Sequence, residues 1–213
     1  HAEATYLVSP LKNVMLWHLE LRSDCDRNVT IYPYVELGMM EFMRELQWQC
    51  YNKHQLSVYE KDGVLIYRYG VENQPKPDET PLVYFASDAP AAGFDCDRDA
   101  FIGSYRSEEA PIGLEHEHLK NSTLFGGDPC FALELPLTLR AGEAKSVNIY
   151  LGTELTGDEI FRSLAACKAP DFFAASMQKL AETWEDFFSG FQCSLLDKDA
   201  ETMINIWNPY QME

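Results

Sequence analysis

Apolar residues recur at every second position through the first two-thirds of the chain. Met15, Trp17, Leu19 and Leu21 share one side of a predicted strand, with His18, Glu20 and Arg22 on the other. Val29, Ile31, Val35 and Leu37 repeat the alternation, and Pro33 between them marks an edge strand or a bulge, because proline cannot donate to a ladder. Further strands are predicted over Leu56–Tyr59, Val64–Tyr69, Leu82–Ala86, Phe131–Leu139 and Val147–Leu151. Asp62-Gly63 is a hairpin signal between two of these, and Arg140-Ala141-Gly142-Glu143 is another turn. Strands punctuated by turns, with no helices between them, make an antiparallel sandwich.

The period then lengthens. Thr156-Gly157-Asp158-Glu159 has the form of a capping box, and Ile160, Phe161, Leu164 and Ala165 follow at helical spacing until Pro170. A second helix starts near Asp171, carries Phe173, Met177, Leu180, Trp184 and Phe187 on one stripe, and ends at Gly190. A third begins near Asp197–Asp199 with Met203, Ile206, Trp207 and Tyr210 aligned. Either Pro209 ends this helix or the chain stops within it. The sandwich can cover only some of these stripes, so another surface is expected to cover the rest.

Composition narrows the function. The 213 residues carry a formal charge of −17, and a surface so acidic repels phosphate backbones and anionic lipid heads. Nucleic-acid and membrane-surface binding are therefore excluded as expectations. The longest apolar runs, such as Cys130–Leu133 and Val64–Tyr67, are far too short to cross a bilayer, and His1-Ala2-Glu3 has no signal-peptide character. Six evenly spread cysteines show no metal-ligand spacing, which points to reduced, mostly buried thiols in a cytoplasmic protein. The sequons Asn28-Val29-Thr30 and Asn121-Ser122-Thr123 carry little meaning without a secretion signal. Opening on His1 rather than methionine suggests a start further upstream.

Few segments suggest chemistry. Asp95, Asp97 and Asp99 alternate as in a calcium loop, but Ala100 and Arg106 stand where such a loop needs glycine and a bidentate glutamate. His116-Glu117-His118 could present two imidazoles on one strand face; with no further ligand marked out, solvent-facing strand histidines are the preferred reading. Gly126-Gly127-Asp128-Pro129 is a turn by composition, and no nucleophile elbow or phosphate loop occurs. The segment Gln47-Trp48-Gln49-Cys50-Tyr51-Asn52-Lys53-His54 mixes aromatic faces, which stack on sugar C–H surfaces, with amides and cations, which bond hydroxyls. It reads equally as lining for a carbohydrate site and as a packed loop with Trp48 in the core.

Three stretches carry a resemblance. Gly93-Phe94-Asp95-Cys96-Asp97-Arg98-Asp99-Ala100-Phe101-Ile102-Gly103-Ser104-Tyr105-Arg106, then Asn121-Ser122, then Met203-Ile204-Asn205-Ile206-Trp207-Asn208-Pro209-Tyr210-Gln211 resemble, in order and spacing, segments of the inverting β-glycan phosphorylases of glycoside hydrolase family 94. The resemblance implies a mainly β chain: an antiparallel β-supersandwich over residues 1–153, its first strands missing, a helical linker over 154–196, and over 197–213 the opening of an (α/α)6 barrel otherwise absent. It implies a reaction in which phosphate attacks a β-glycoside with inversion to give an α-sugar 1-phosphate, the general acid and the phosphate ligands both lying on the barrel. No catalytic residue, metal or cofactor is expected in this chain; inorganic phosphate is a co-substrate of the full enzyme.

Partners implied by the resemblance are a β-linked oligosaccharide, phosphate and a second copy in a homodimer, with one sandwich loop reaching toward the partner's acceptor subsite. By position that loop is Gln47–His54, so Trp48, Tyr51 and Lys53 are the expected sugar contacts. Cellobiose-type members carry a Gln-Arg pair where this chain has Cys50-Tyr51, which leaves cellodextrin or another β-glucan equally open as acceptor. The competing readings are a stand-alone carbohydrate-binding sandwich and a pure protein-interaction unit.

Overall fold

The computed structural model describes residues 1–38, 53–70 and 80–212. Two antiparallel sheets and a helical layer stack on one another. The large sheet has the strand order β1-β2-β11-β7-β6-β5-β9. Its strands are β1 (Ala2–Val8), β2 (Val14–Arg22), β5 (Leu56–Lys61), β6 (Val64–Tyr69), β7 (Leu82–Ser87), β9 (Leu124–Phe125) and β11 (Ala144–Glu154). The small sheet is built on β10 (Pro129–Leu139), with β3 (Arg27–Ile31) and β4 (Tyr34–Glu36) along one edge and β8 (Gly93–Asp97) along the other.

Strand endings follow the turn chemistry. Asp62 and Gly63, at φ +51° and +78°, close the β5–β6 hairpin in the doubly left-handed turn that matches strand twist. Arg140–Glu143 turns β10 in the small sheet into β11 in the large one, with Gly142 N–H bonded to Ser23 O at 2.8 Å. Pro33 interrupts β3 and β4 without slipping their register: Ile31 faces Leu135 and Tyr34 faces Ala132 on one continuous ladder. The proline carbonyl still accepts from Leu133 N–H at 3.1 Å, so only the return bond is missing, which confines it to an edge.

Between the sheets lies the main core, with Val58, Leu65, Tyr67, Phe85, Phe131, Leu135 and Ile149 almost fully buried. Phe85 is its hub. Its ring stacks on Phe131 of the small sheet at 5.6 Å and meets Trp17 edge-on at 5.5 Å. A second core covers the opposite face of the large sheet, where Leu16, Val64, Ile66, Tyr84 and Tyr150 pack against Ile160, Leu164, Cys167 and Phe172.

The central strands of the large sheet are therefore covered on both faces, which the alternation in β2 does not announce. His18, expected to face outward, stacks on Phe173 at 4.0 Å and bonds Asn148 Oδ1 through Nδ1 at 2.7 Å. Met15, expected inward with Trp17, is 38% exposed near the strand's start, while Val14 and Leu16 are buried under the helices. The unbroken run Val64-Leu65-Ile66-Tyr67 is the signature of a strand covered twice.

That helical cover is α2 (Gly157–Cys167) and α3 (Phe172–Ser189). A short helix, α1 (Arg98–Phe101), leaves the end of β8. At the start of α2, Glu159 N–H donates to Thr156 Oγ1 and Thr156 N–H to the Glu159 carboxylate, the reciprocal cap expected from sequence. Only the first half of α3 rests on the sandwich, through Phe172 and Ser176, whose hydroxyl lies 2.9 Å from that of Ser9. Beyond Leu180 its apolar residues meet the tail: Trp184 lies 5.5 Å from Tyr210.

The tail comprises α4 (Lys198–Thr202), a π-turn over Met203–Trp207 and α5 (Asn208–Met212). Pro209 does not end it. The π-turn lets Asn208 N–H reach Met203 O, a wider ring that accommodates the proline inside a continuing helical path. Met203, Ile206, Trp207 and Tyr210 all stay about half exposed.

Loss of the intersheet hub should outweigh loss of a cap. In denaturant unfolding, Phe85→Ala is expected to cost about 3–5 kcal/mol, whereas Thr156→Ala should cost about 1 kcal/mol. Equal losses would mean that Phe85 does not join the sheets.

Candidate functional site

Two of the stretches that carried the resemblance lie side by side. Phe94 N–H donates to Asn121 Oδ1 at 3.0 Å, Cys96 N–H to Ser122 O at 3.0 Å, and Ser122 N–H returns to Asp95 Oδ1 at 3.0 Å. Asn121 takes a left-handed φ of +54° to do this, a conformation asparagine tolerates. Asp95 is fully buried, and Asp97 caps α1 by accepting from Asp99 N–H at 2.9 Å. Asp95 and Asp97 thus serve different main-chain donors, and Asp99 gives its own N–H to Asp97. No group of three or more His, Cys, Asp or Glu side chains able to hold a metal gathers among the described residues.

Glu134 is the most deeply placed carboxylate that sequence reasoning missed. It lies on the outer face of β10, 3% exposed, and accepts from Leu119 N–H at 2.9 Å and from His118 Nδ1 at 2.8 Å. A methyl group on Gly93 would come within 2.8 Å of Glu134 Oε2, so the first residue of the motif makes room for the carboxylate. His118 is consequently no strand histidine. It follows the 3-10 turn Ile112–Glu115, and the Glu134 carboxylate raises its pKa. A lone acid inside the apolar run Pro129–Leu139 was the available signal for a buried, partnered group.

Of the expected sugar contacts, Trp48 and Tyr51 lie outside the described residues. Lys53 lies within them, and its ammonium is ion-paired with Asp128. Gly127 N–H donates to Lys53 O at 2.9 Å, so the glycine-rich turn grips the backbone as well. Beside this pair, Glu36 accepts from Arg98 Nε at 2.8 Å and from the Tyr34 hydroxyl at 2.7 Å. The Tyr34 hydroxyl and then Arg98 hold the Glu36 carboxyl below its ordinary pKa. Tyr34 is itself stacked on Phe101 at 5.0 Å. Lys53, Asp128, Arg98 and Glu36 form a partly exposed polar corner at the end of the sandwich, with hydrogen-bonding groups suited to hydroxyls rather than a paired acid and base for bond cleavage.

The buried thiols among the described residues are chemically quiet. Burial pushes Cys96 up to about 12 and Cys167 to about 11, and Cys130 is also fully buried. Cys25 departs from the expected pattern: it is exposed, and Arg27 and then Ser23 lower its pKa. No helix among the described residues is long and apolar enough to cross a membrane.

This twin-sheet body, with helices packed on the outer face of one sheet, is a β-supersandwich. The sequence matches the family described as glycosyl hydrolase 94, supersandwich domain, over residues 1–170, and the chain belongs to that family. It is 27% identical to N,N'-diacetylchitobiose phosphorylase of Vibrio furnissii, across all of this chain and 26% of that protein. Similarity to 3-O-beta-D-glucopyranosyl-beta-D-glucuronide phosphorylase of Paenibacillus borealis reaches 29% over 61% of this chain and 17% of the relative. Cyclic beta-(1,2)-glucan synthase NdvB of Rhizobium meliloti is 33% identical over 60% of this chain and 4% of its own length. The chain thus spans about a quarter of the chitobiose phosphorylase it matches.

Two measurements test the Glu134 arrangement. Glu134→Ala orphans the buried Leu119 N–H and should cost about 1–3 kcal/mol. In an NMR titration His118 should titrate above an ordinary histidine and return toward ~6.5 in Glu134→Gln. Because its folded pKa is raised, the stability this pair adds is fully present below the unfolded value and is lost as pH rises through the folded one. An unchanged His118 titration in Glu134→Gln would dissolve the pair.

Proposed function

We propose that this chain is the non-catalytic sandwich-and-linker segment of an inverting β-glycan phosphorylase, which converts a β-glycoside and phosphate into an α-sugar 1-phosphate. The observation that carries the reading is how the family stretch Gly93–Arg106 is used. Asp95 and Asp97 accept main-chain N–H groups, Arg98 is paired with Glu36, and Arg106 with Glu115. Its most deeply placed charged groups thus maintain the scaffold. The relatives support the same division, since a matching segment occurs in proteins named as phosphorylases and in one named as a glucan synthase. Two of those phosphorylases are named for diacetylchitobiose and glucosyl-glucuronide, so β-linked disaccharides as a class are supported and cellobiose is not singled out.

Within the full enzyme the segment supplies scaffold and dimer contact, and the Gln47–His54 stretch supplies acceptor-side contacts through Trp48, Tyr51 and Lys53. Lys53 is consistent with that role, because its side chain is about one-third exposed at the corner of the sandwich. The enzyme is read as a cytoplasmic homodimer, in keeping with the free thiols among the described cysteines.

Phosphorolysis assays test the proposal. Incubated with β-linked disaccharides and phosphate, this polypeptide should release no sugar 1-phosphate, while a chain extended through the barrel should release it. Sugar 1-phosphate from the segment alone would sink the proposed division of labour.

A further inference from the structure

Residues 103–120 form a strap across the outer face of the small sheet, and its ends are fixed differently from its middle. At the entrance, α1 hands over through Gly103, at φ +95°, whose N–H bonds Arg98 O at 3.3 Å. At the exit, Asn121 and Ser122 are bonded into β8, and Lys120 N–H reaches Asp95 Oδ2 at 3.4 Å. In between, the pair Arg106–Glu115 folds the strap on itself, and Ile112 N–H donates to Ile102 O at 3.0 Å. The underside is held to β10 by Glu134, which accepts from Leu119 N–H at 2.9 Å and from His118 Nδ1 at 2.8 Å. Ile102 and Leu119 add a small apolar seal over Cys130 and Ala132.

We propose that His118 and Glu134 form a proton-operated catch: the strap is drawn onto the small sheet while His118 carries its charge and is released as that charge is lost. The two partners are placed unequally. The Glu134 side chain is 5% exposed and that of His118 is 64% exposed, so one is sealed in the protein while the other exchanges protons with water. A buried carboxylate is costly unless hydrogen bonds and a counter-charge both meet it. A neutral His118 can still offer an N–H, but the counter-charge is gone. The Glu134 carboxylate, first as hydrogen-bond acceptor and then by its charge, raises the His118 pKa. The catch is therefore fully closed below the ordinary histidine value of ~6.5 and opens as pH rises through the raised folded one. Neighbouring charges do not reverse this sign. Glu117 on the strap, flanked by His116, also favours the charged imidazole. Asp95 of β8 is fully buried and committed to Ser122 and Lys120 N–H, and burial and then the Glu134 charge push up the phenol of Tyr32, between β3 and β4.

Hydrogen exchange on the full chain, from about pH 5 to about pH 8, tests the catch across the range in which histidine changes charge. Expressed as protection factors, the data are free of the intrinsic pH dependence of amide exchange, and β11 serves as internal reference. Protection of peptides within 103–120 should fall roughly two- to fivefold as pH rises, the span of an ion pair open to water on one side, while β11 stays level. His118→Gln should show the low protection at every pH, and His118→Lys, a cation throughout, the high protection at every pH. Because His118 is largely exposed, neither substitution disturbs the core. Release also uncovers Cys130, so its alkylation by N-ethylmaleimide should gain on that of Cys167, buried under the helices, as pH rises. Strap protection that is level with pH in the parent, or that falls equally in His118→Gln, overturns the catch. So does a pH response that persists in His118→Lys.

Discussion

The fold depends on one constraint: the central strands of the large sheet must be kept dry on both sides. Its inner face contributes Leu65, Tyr67, Phe85 and Ile149 to the contact with the small sheet. Its outer face contributes Val64, Ile66, Tyr84 and Tyr150 to the contact with α2 and α3. Apolar burial at roughly 25 cal/mol per Å2 is the main force available to hold three layers together, and neither face alone would suffice for both. Helices α2 and α3 are thus part of the sandwich's hydrophobic enclosure, and the family match runs through the first of them to residue 170.

Polar order is built on that base. With the small sheet pressed against the large one, its outer face is left to the segment running from α1 to Asn121. That segment is held by buried carboxylates rather than by a wide apolar contact. Asp95 and Glu134 each accept main-chain N–H groups, and in a low-dielectric setting such bonds to ionised acceptors are the strong kind. Phe101, Ile102 and Leu119 add a small apolar seal around Cys130 and Ala132.

Much of the architecture was legible in the sequence, for specific reasons. Strand β6, the Asp62-Gly63 turn and the Thr156–Glu159 cap are local devices whose geometry is written in neighbouring residues. What stayed hidden depends on distant partners. His18 reads as a solvent-facing polar residue until Phe173, far along the chain, covers it. Glu134 and His118 become a pair only when β10 meets the loop after Ile112–Glu115. The motif beginning at Gly93 could be recognised but not explained, because its meaning is a set of bonds to Asn121 and Ser122. At the candidate site, composition pointed to Lys53, while the grip of the Gly126–Pro129 turn on it is a tertiary fact.

Helix α3 has a mechanical consequence. Its 18 residues make a rod of roughly 27 Å. The rod is rooted in the sandwich at Phe172 and Ser176 and engages the tail at Trp184. Such a member is a cantilever: about 20 Å of it projects beyond Ser176, and a tilt of about ten degrees at its root carries the far tip by roughly 3 Å. The seat of Phe172 and the hydroxyl contact between Ser9 and Ser176 therefore act as a fulcrum, converting small repacking under the large sheet into a larger displacement of the tail helices.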